Sequence, residues 1–167
     1  MKRIALICVV IFLFLIGCSE KAEEKPLLEG ISFNADITYY NEKYVAKGSV
    51  DKDGLLTLEI LEPSELSGMV FYVNDSDTKV EYKGLSFSPN ENSLLTSASN
   101  ILYSGFSALQ GEDAKLKCDD KTYTATAKDG GGEFIMEYSP TGLPLKLKYL
   151  SSAFEANFYD LEILKNE

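Results

Sequence analysis

Residues 31–50 read Ile31-Ser-Phe33-Asn-Ala35-Asp-Ile37-Thr-Tyr39-Tyr40-Asn41-Glu42-Lys43-Tyr44-Val-Ala46-Lys-Gly48-Ser-Val50. From Ile31 to Tyr39 every second residue is apolar, with Ser32, Asn34, Asp36 and Thr38 between them. Such alternation puts the apolar side chains on one face of a strand and the polar ones on the other. Tyr44, Ala46, Gly48 and Val50 resume the pattern after a short turn expected at Asn41-Glu42. The stretch therefore reads as two antiparallel strands of a sheet packed on one face, and it sets the fold class as mainly β.

The same period spreads outward in both directions of the chain. Asp51-Lys-Asp53-Gly54 is a turn, and Leu56, Leu58 and Ile60 then face away from Thr57 and Glu59. A loop or short helical turn at Pro63–Gly68 precedes the strand Met69–Val73, the turn Asn74-Asp-Ser-Asp77 and the strand Thr78–Tyr82. Lys83-Gly84 breaks the run before Leu85-Ser-Phe87. Later strands are expected at Lys115–Cys118, Tyr123–Lys128, Glu133–Tyr138 and Leu145–Tyr149. In the last one Phe154, Ala156 and Phe158 are in phase while Leu161 and Ile163 are one residue out, which predicts a bulge near Asp160.

One segment changes period. Leu94, Leu95, Ala98, Ile101, Leu102, Phe106 and Leu109 follow the three-and-four spacing of one helix face. Asn92 or Ser93 can cap its start and Gly111 lies just past its end. About ten strands and one helix cannot leave both sheet faces apolar. The expected architecture is a curved antiparallel half-barrel with the α-helix packed in its concave face. Leu58, Phe71, Tyr82, Ile101, Leu102, Phe134 and Met136 are the expected lining of that face.

Ahead of this domain stands an address. Lys2-Arg3, the apolar run Ile4–Ile16 and Gly17-Cys18-Ser19 have the layout of a secretory signal peptide. Leu15-Ile16-Gly17-Cys18 fits the bacterial lipobox, in which cleavage before Cys leaves its thiol to carry a diacylglycerol. The expected organisation is a signal over residues 1–17, a lipidated Cys18 and polar tether over 18–27, and the half-barrel over 28–167. Two acyl chains hold a protein stably on a membrane where one does not. The expected location is therefore the cell membrane, lipid-anchored and extracytoplasmic, with the outer membrane open in a Gram-negative cell because Ser19, not Asp, follows Cys18.

Composition removes several function classes. The chain carries 16 Lys+Arg against 26 Asp+Glu, and loss of Lys2 and Arg3 with the signal takes the net charge from −10 to −12. That surface repels nucleic-acid phosphates, so no nucleic-acid partner is expected. There is no His and no Trp. Ser-His-Asp and Cys-His catalysis and His-ligated zinc are thereby excluded. Of the three cysteines, Cys8 lies in the signal and Cys18 takes the lipid, leaving Cys118 without a disulfide partner and in phase with Leu116 as a buried small hydrophobe.

The remaining motifs read as structure. Asp51-Lys-Asp53-Gly54 and Asn74-Asp-Ser-Asp77 lack the further ligands of a calcium loop, and Gly130-Gly-Gly132 lacks the Lys-Ser or Lys-Thr of a phosphate loop. No metal and no cofactor is expected. Glu59, Glu81, Glu137 and Glu155 could pair for glycoside hydrolysis, but each occupies the polar phase of its strand. Tyr40, Tyr72 and Tyr159 also fall in the polar phase, and clustered on the convex face they would form a protein-contact surface.

The strand pair around Phe33–Val50, the strand Leu56-Thr-Leu-Glu-Ile60 leading into Glu62-Pro63, and Met69–Tyr82 carry a resemblance. In this order, followed by the helix and the late strands through Leu164, they resemble the LolA/LolB-type lipoprotein carriers and their clostridial lipoprotein relatives. The resemblance implies an incomplete barrel whose apolar cavity, covered by a helix, holds acyl chains. It also implies, through some Gram-positive relatives, a protein-partner module. The Arg that meets the lid in the carriers has no counterpart, since Arg3 is the only Arg. The expected function is a non-enzymatic, membrane-anchored binding module for an acyl chain or other apolar ligand. A scaffold or chaperone for an envelope protein, with a filled core, is the alternative, and a carboxylate-dependent hydrolase comes third.

Overall fold

A computed structural model describes residues 28–89, 93–119, 122–129 and 132–164. The signal, the lipobox with Cys18, the tether, Asn92 and Gly130-Gly131 lie outside the described residues, as does the side chain of Cys118. Among the described residues eleven strands form one sheet: β1 (Ile31–Tyr39), β2 (Glu42–Val50), β3 (Leu56–Glu62), β4 (Val70–Val73), β5 (Thr78–Tyr82), β6 (Leu85–Phe87), β7 (Lys115–Asp119), β8 (Thr122–Asp129), β9 (Gly132–Tyr138), β10 (Pro144–Tyr149) and β11 (Phe154–Ile163). The helix α1 (Leu94–Gln110) lies between β6 and β7 in sequence. Leu85-Ser-Phe87, beyond the break at Lys83-Gly84, is a strand of its own.

The strand order is β6-β5-β4-β3-β2-β1-β11-β10-β9-β8-β7. Hairpins run outward from β1 to the edge at β6, and α1 carries the chain across to the opposite edge at β7. Hairpins then return it to β11, which pairs antiparallel with β1. A helix that must travel from edge to edge lies across one face, and only one face is apolar. Along one arm Phe33 pairs with Gly48, Ala46 with Ile60, Leu58 with Phe71, and Phe71 with Val80. Along the other, Ile37 pairs with Ala156, Ala156 with Leu147, Leu147 with Met136, and Met136 with Ala125. Directly paired residues point to the same side of a sheet, so one register-locked apolar surface spans both arms. Among the described residues, the curved, unclosed sheet with one helix in its concave face is the expected half-barrel.

Among the described residues the buried apolar core runs from Leu28 to Phe158. Each Leu, Ile or Phe buried there contributes about 1.5–3 kcal/mol, and much of that burial depends on α1. Ser93 caps the helix by accepting the Thr96 N–H at 3.1 Å, and the Gly111 N–H donates to the Ala108 carbonyl at its far end.

Two turn details separate expectation from structure. The β1–β2 loop is Tyr40-Asn41, with φ of 51° and 120°, because Glu42 already pairs with Tyr39. Positive φ at both positions is what the twist-matched type I′ hairpin loop requires, and it places the turn one residue upstream of Asn41-Glu42. The bulge expected near Asp160 is present: Ser32 pairs with Glu162 but Asn34 with Tyr159, and Asp160 has φ of 50°. Asn34 Nδ2 donates to Asp160 Oδ2 at 3.1 Å and holds the extra residue in place.

Candidate functional site

The two faces of α1 have different chemistry. Leu95, Ala98, Leu102, Phe106 and Leu109 are buried against the sheet. Phe106 joins Phe33 and Phe158 in a three-ring cluster with centroids 5.2–5.8 Å apart, which pins the C-terminal half of the helix over β1 and β11. A second stripe runs along one flank. Thr96, Asn100, Tyr103, Ser104 and Ser107 fall on successive turns and present hydroxyls and an amide.

That stripe faces the β4–β5 turn across a cavity of about 460 Å³. The turn is shaped by Asn74, whose Oδ1 accepts the N–H groups of Ser76 and Asp77 at 2.9 and 3.0 Å. Two hydrogen bonds join the cavity walls. The Tyr103 hydroxyl donates to Asp75 Oδ1 at 2.7 Å, and Thr78 Oγ1 donates to Asn100 Oδ1 at 2.8 Å. Burial first, and then the Asp75 carboxylate beside it, push the Tyr103 phenol up to about 12. Asp75 and Tyr103 also line a neighbouring cavity of about 150 Å³ that reaches Glu29, Val50 and Asp53. Among the described residues, neither cavity has a Lys or Arg in its wall.

The seven residues expected to line the concave face are placed as follows. Leu58, Phe71, Leu102, Phe134 and Met136 are buried between sheet and helix. Ile101 is half-buried on α1 and packs on the edge of that core. Tyr82 is half-buried at the end of β5, with its hydroxyl donating to the Glu65 carbonyl. The two cavities above are lined by other residues. Reading α1 only for its apolar period missed the polar stripe, although the four-, three- and one-residue spacing of Thr96, Asn100, Tyr103 and Ser104 carries that signal.

The apolar face does not stop where α1 stops. Phe87 pairs with buried Val80, and Leu85 pairs with Tyr82, so both share the concave side of the sheet. Yet Leu85 is 70% and Phe87 45% exposed. An inward-facing apolar row along β6 is thus uncovered beside the helix.

Glu81 and Glu155 serve surface ion pairs, to Lys79 at 2.7 Å and Lys146 at 2.8 Å. In each case the Lys hydrogen bond draws the carboxyl below its usual range, the reverse of what a general acid requires. Glu59 and Glu137 are half-buried on the outward phase of β3 and β9. The expected tyrosine cluster does not form, because Tyr72 on β4 and Tyr159 on β11 are separated by β3, β2 and β1. Four strand spacings put about 19 Å between them. Among the described residues no group of three His, Cys, Asp or Glu could hold a metal ion, and no helix is long and apolar enough to cross a membrane.

No protein-family model matches the sequence, and no curated protein matches it. Solved structures do. A LolA superfamily protein of Nitrosomonas europaea is 12% identical with a TM-score of 0.48, over 89% of this chain and 92% of that one. An uncharacterized conserved protein of Thermus thermophilus is 11% identical with a TM-score of 0.51, over 87% and 85%. The lipoprotein LppX of Mycobacterium tuberculosis is 8% identical with a TM-score of 0.38, over 81% and 88%. At these identities the likeness to the Thermus structure is one of fold alone.

Proposed function

We propose that the chain is a lipid-tethered, extracytoplasmic binding module that takes an apolar ligand at the concave face of its half-barrel, and that the structure described is its closed state. The observation that supports this reading is the uncovered row on β6. Leu85 and Phe87 extend the concave apolar surface beyond α1 and face solvent. An acyl chain laid along that row and under the flank of α1 would gain about 0.8 kcal/mol per buried CH₂ without any charged contact. Entry deeper into the concave face, toward Leu58, Phe71, Tyr82, Ile101, Leu102, Phe134 and Met136, requires α1 to lift. Cys18 would supply the membrane anchor and residues 18–27 the tether.

The reading is tested with an environment-sensitive apolar dye added to residues 19–167, which include the described core from Leu28 to Phe158. Saturable uptake, displaced by dodecanoate and weakened at least fivefold by Leu85→Ser with Phe87→Ser, supports it. Uptake that is absent, or indifferent to both substitutions, refutes it. The packing beneath α1 favours a second reading, a protein scaffold with a filled core that docks an envelope protein. That reading predicts a domain with no saturable dye uptake at all.

A further inference from the structure

Resting on the apolar-ligand reading, we infer that the cavity between α1 and the β4–β5 turn holds the head group of the ligand, and that this head is uncharged and rich in hydroxyls, as in a saccharide-headed amphiphile. The volume of about 460 Å³ suits a small-molecule group. Its wall carries the hydroxyls of Ser88, Ser104 and Ser107, which both give and take hydrogen bonds, and the amide nitrogens of Asn74 and Asn100, which donate; the Ser76 hydroxyl already donates to Asn74 Oδ1 and is left to accept. Asn100 Oδ1 is already engaged by Thr78, which leaves the Nδ2 donors for a ligand oxygen. The carboxylates Asp75 and Asp77 accept only, and a sugar hydroxyl can donate to them.

Charge decides against the commoner lipid heads. A phosphate or a fatty-acid carboxylate in this cavity would meet Asp75 and Asp77, with no Lys or Arg among the described residues of the wall to offset the repulsion. A cationic head would find the carboxylates, but most of the lining hydroxyls would then lack a partner, and Asp75 Oδ1 already accepts from Tyr103. Position joins head to tail. Ser88 and Pro89 of the cavity wall directly follow Phe87, and Thr78 opens the strand whose Val80 pairs with Phe87. The apolar row begins where the polar cavity ends, which is the layout an amphiphile needs.

Four single-chain probes sharing a twelve-carbon tail separate the possibilities: dodecyl maltoside, dodecanoate, dodecylphosphocholine and dodecyltrimethylammonium, each titrated calorimetrically into residues 19–167 below its micelle concentration. Dodecyl maltoside is expected to bind at least tenfold more tightly than the other three. Asn100→Ala and, separately, Ser104→Leu, which fills the cavity from the helix flank, should each remove most of that advantage and change dodecanoate binding less than twofold. Thermal unfolding of both variants checks that the fold survives. Equal or tighter binding of dodecanoate, or of either choline-type head, overturns the head-group assignment while leaving the apolar-ligand reading intact. Substitutions that weaken all four probes alike also overturn it. If none of the four binds, both readings fall.

Discussion

Gly105 of α1 rests directly on Leu147 of β10: a β-carbon on Gly105 would stand 2.7 Å from Leu147 Cδ2, and 3.1 Å from Phe134 Cδ1 on β9. The missing side chain lets the helix backbone approach the sheet, so the covered part of the concave face is shut by contact with the helix itself. Any larger ligand must compete with α1 for that surface. Gly105→Leu is expected to destabilise the domain by about 1–3 kcal/mol, the usual cost of overpacking, with a lower denaturant midpoint. Ser107→Ala on the exposed flank should change stability by less than about 0.5 kcal/mol. Equal effects from the two would contradict the close approach.

Gly48 is held by a ring rather than by a flexible tip. A β-carbon there would meet Phe33 Cε2 and Cζ at 2.5 Å, and that ring is fixed between Phe106 and Phe158. Gly48→Ala should therefore cost about 1–3 kcal/mol by urea denaturation. At the other end of the strand pair, Asn41 has φ of 120°. Asn41→Gly should relieve backbone strain and raise stability by about 1 kcal/mol.

The Tyr103 phenol, pushed up to about 12 by burial and by Asp75, gives a spectroscopic handle on the cavity. An unfolded Tyr titrates near about 10. The raised native value favours the protonated form, so its contribution to stability is complete below pH ~10 and is lost as pH rises toward 12. The tyrosinate difference spectrum between the chain and Tyr103→Phe should show this late titration. Asp75→Asn removes the negative charge but keeps the burial, and should move the transition part of the way back toward 10.

Glu155 gives the opposite sign. Its carboxyl lies below the usual range because Lys146 hydrogen-bonds to it, so its contribution is present above the unfolded Glu value and fades as pH falls through the native one. Lys146→Met should flatten the acid limb of the stability profile and leave stability above pH 7 little changed, since the pair is partly exposed. An unaltered acid limb would contradict the assignment.

The proposed lipidation of Cys18 predicts a biochemical result. Cys18→Ser should abolish incorporation of labelled fatty acid and release the protein from the membrane fraction. Retention of label in that variant would place the modification elsewhere.

Most of the sheet could be read from period two alone, because half-burial forces strict alternation. The phases of Ile31–Val50, Leu56–Ile60 and Phe154–Phe158 coincide with the buried face residue for residue. The short strand β6 resisted that reading because three residues carry less than two full periods. The turn at Tyr40-Asn41 resisted it because the need for positive φ overrode the ordinary preference for small residues. The polar cavity was illegible for a different reason. Thr96 and Asn100 lie in one element, and Asp75 and Thr78 in another that precedes them by about twenty residues. Only the crossing of α1 from edge to edge brings them together.

Native mass spectrometry of residues 19–167, purified from cells without detergent, tests the central claim most directly. A population carrying extra mass that is released as a lipid on denaturation, and that is reduced by Leu85→Ser with Phe87→Ser, is the predicted result. Bare polypeptide mass, unchanged after incubation with a total lipid extract, would contradict an apolar-ligand half-barrel.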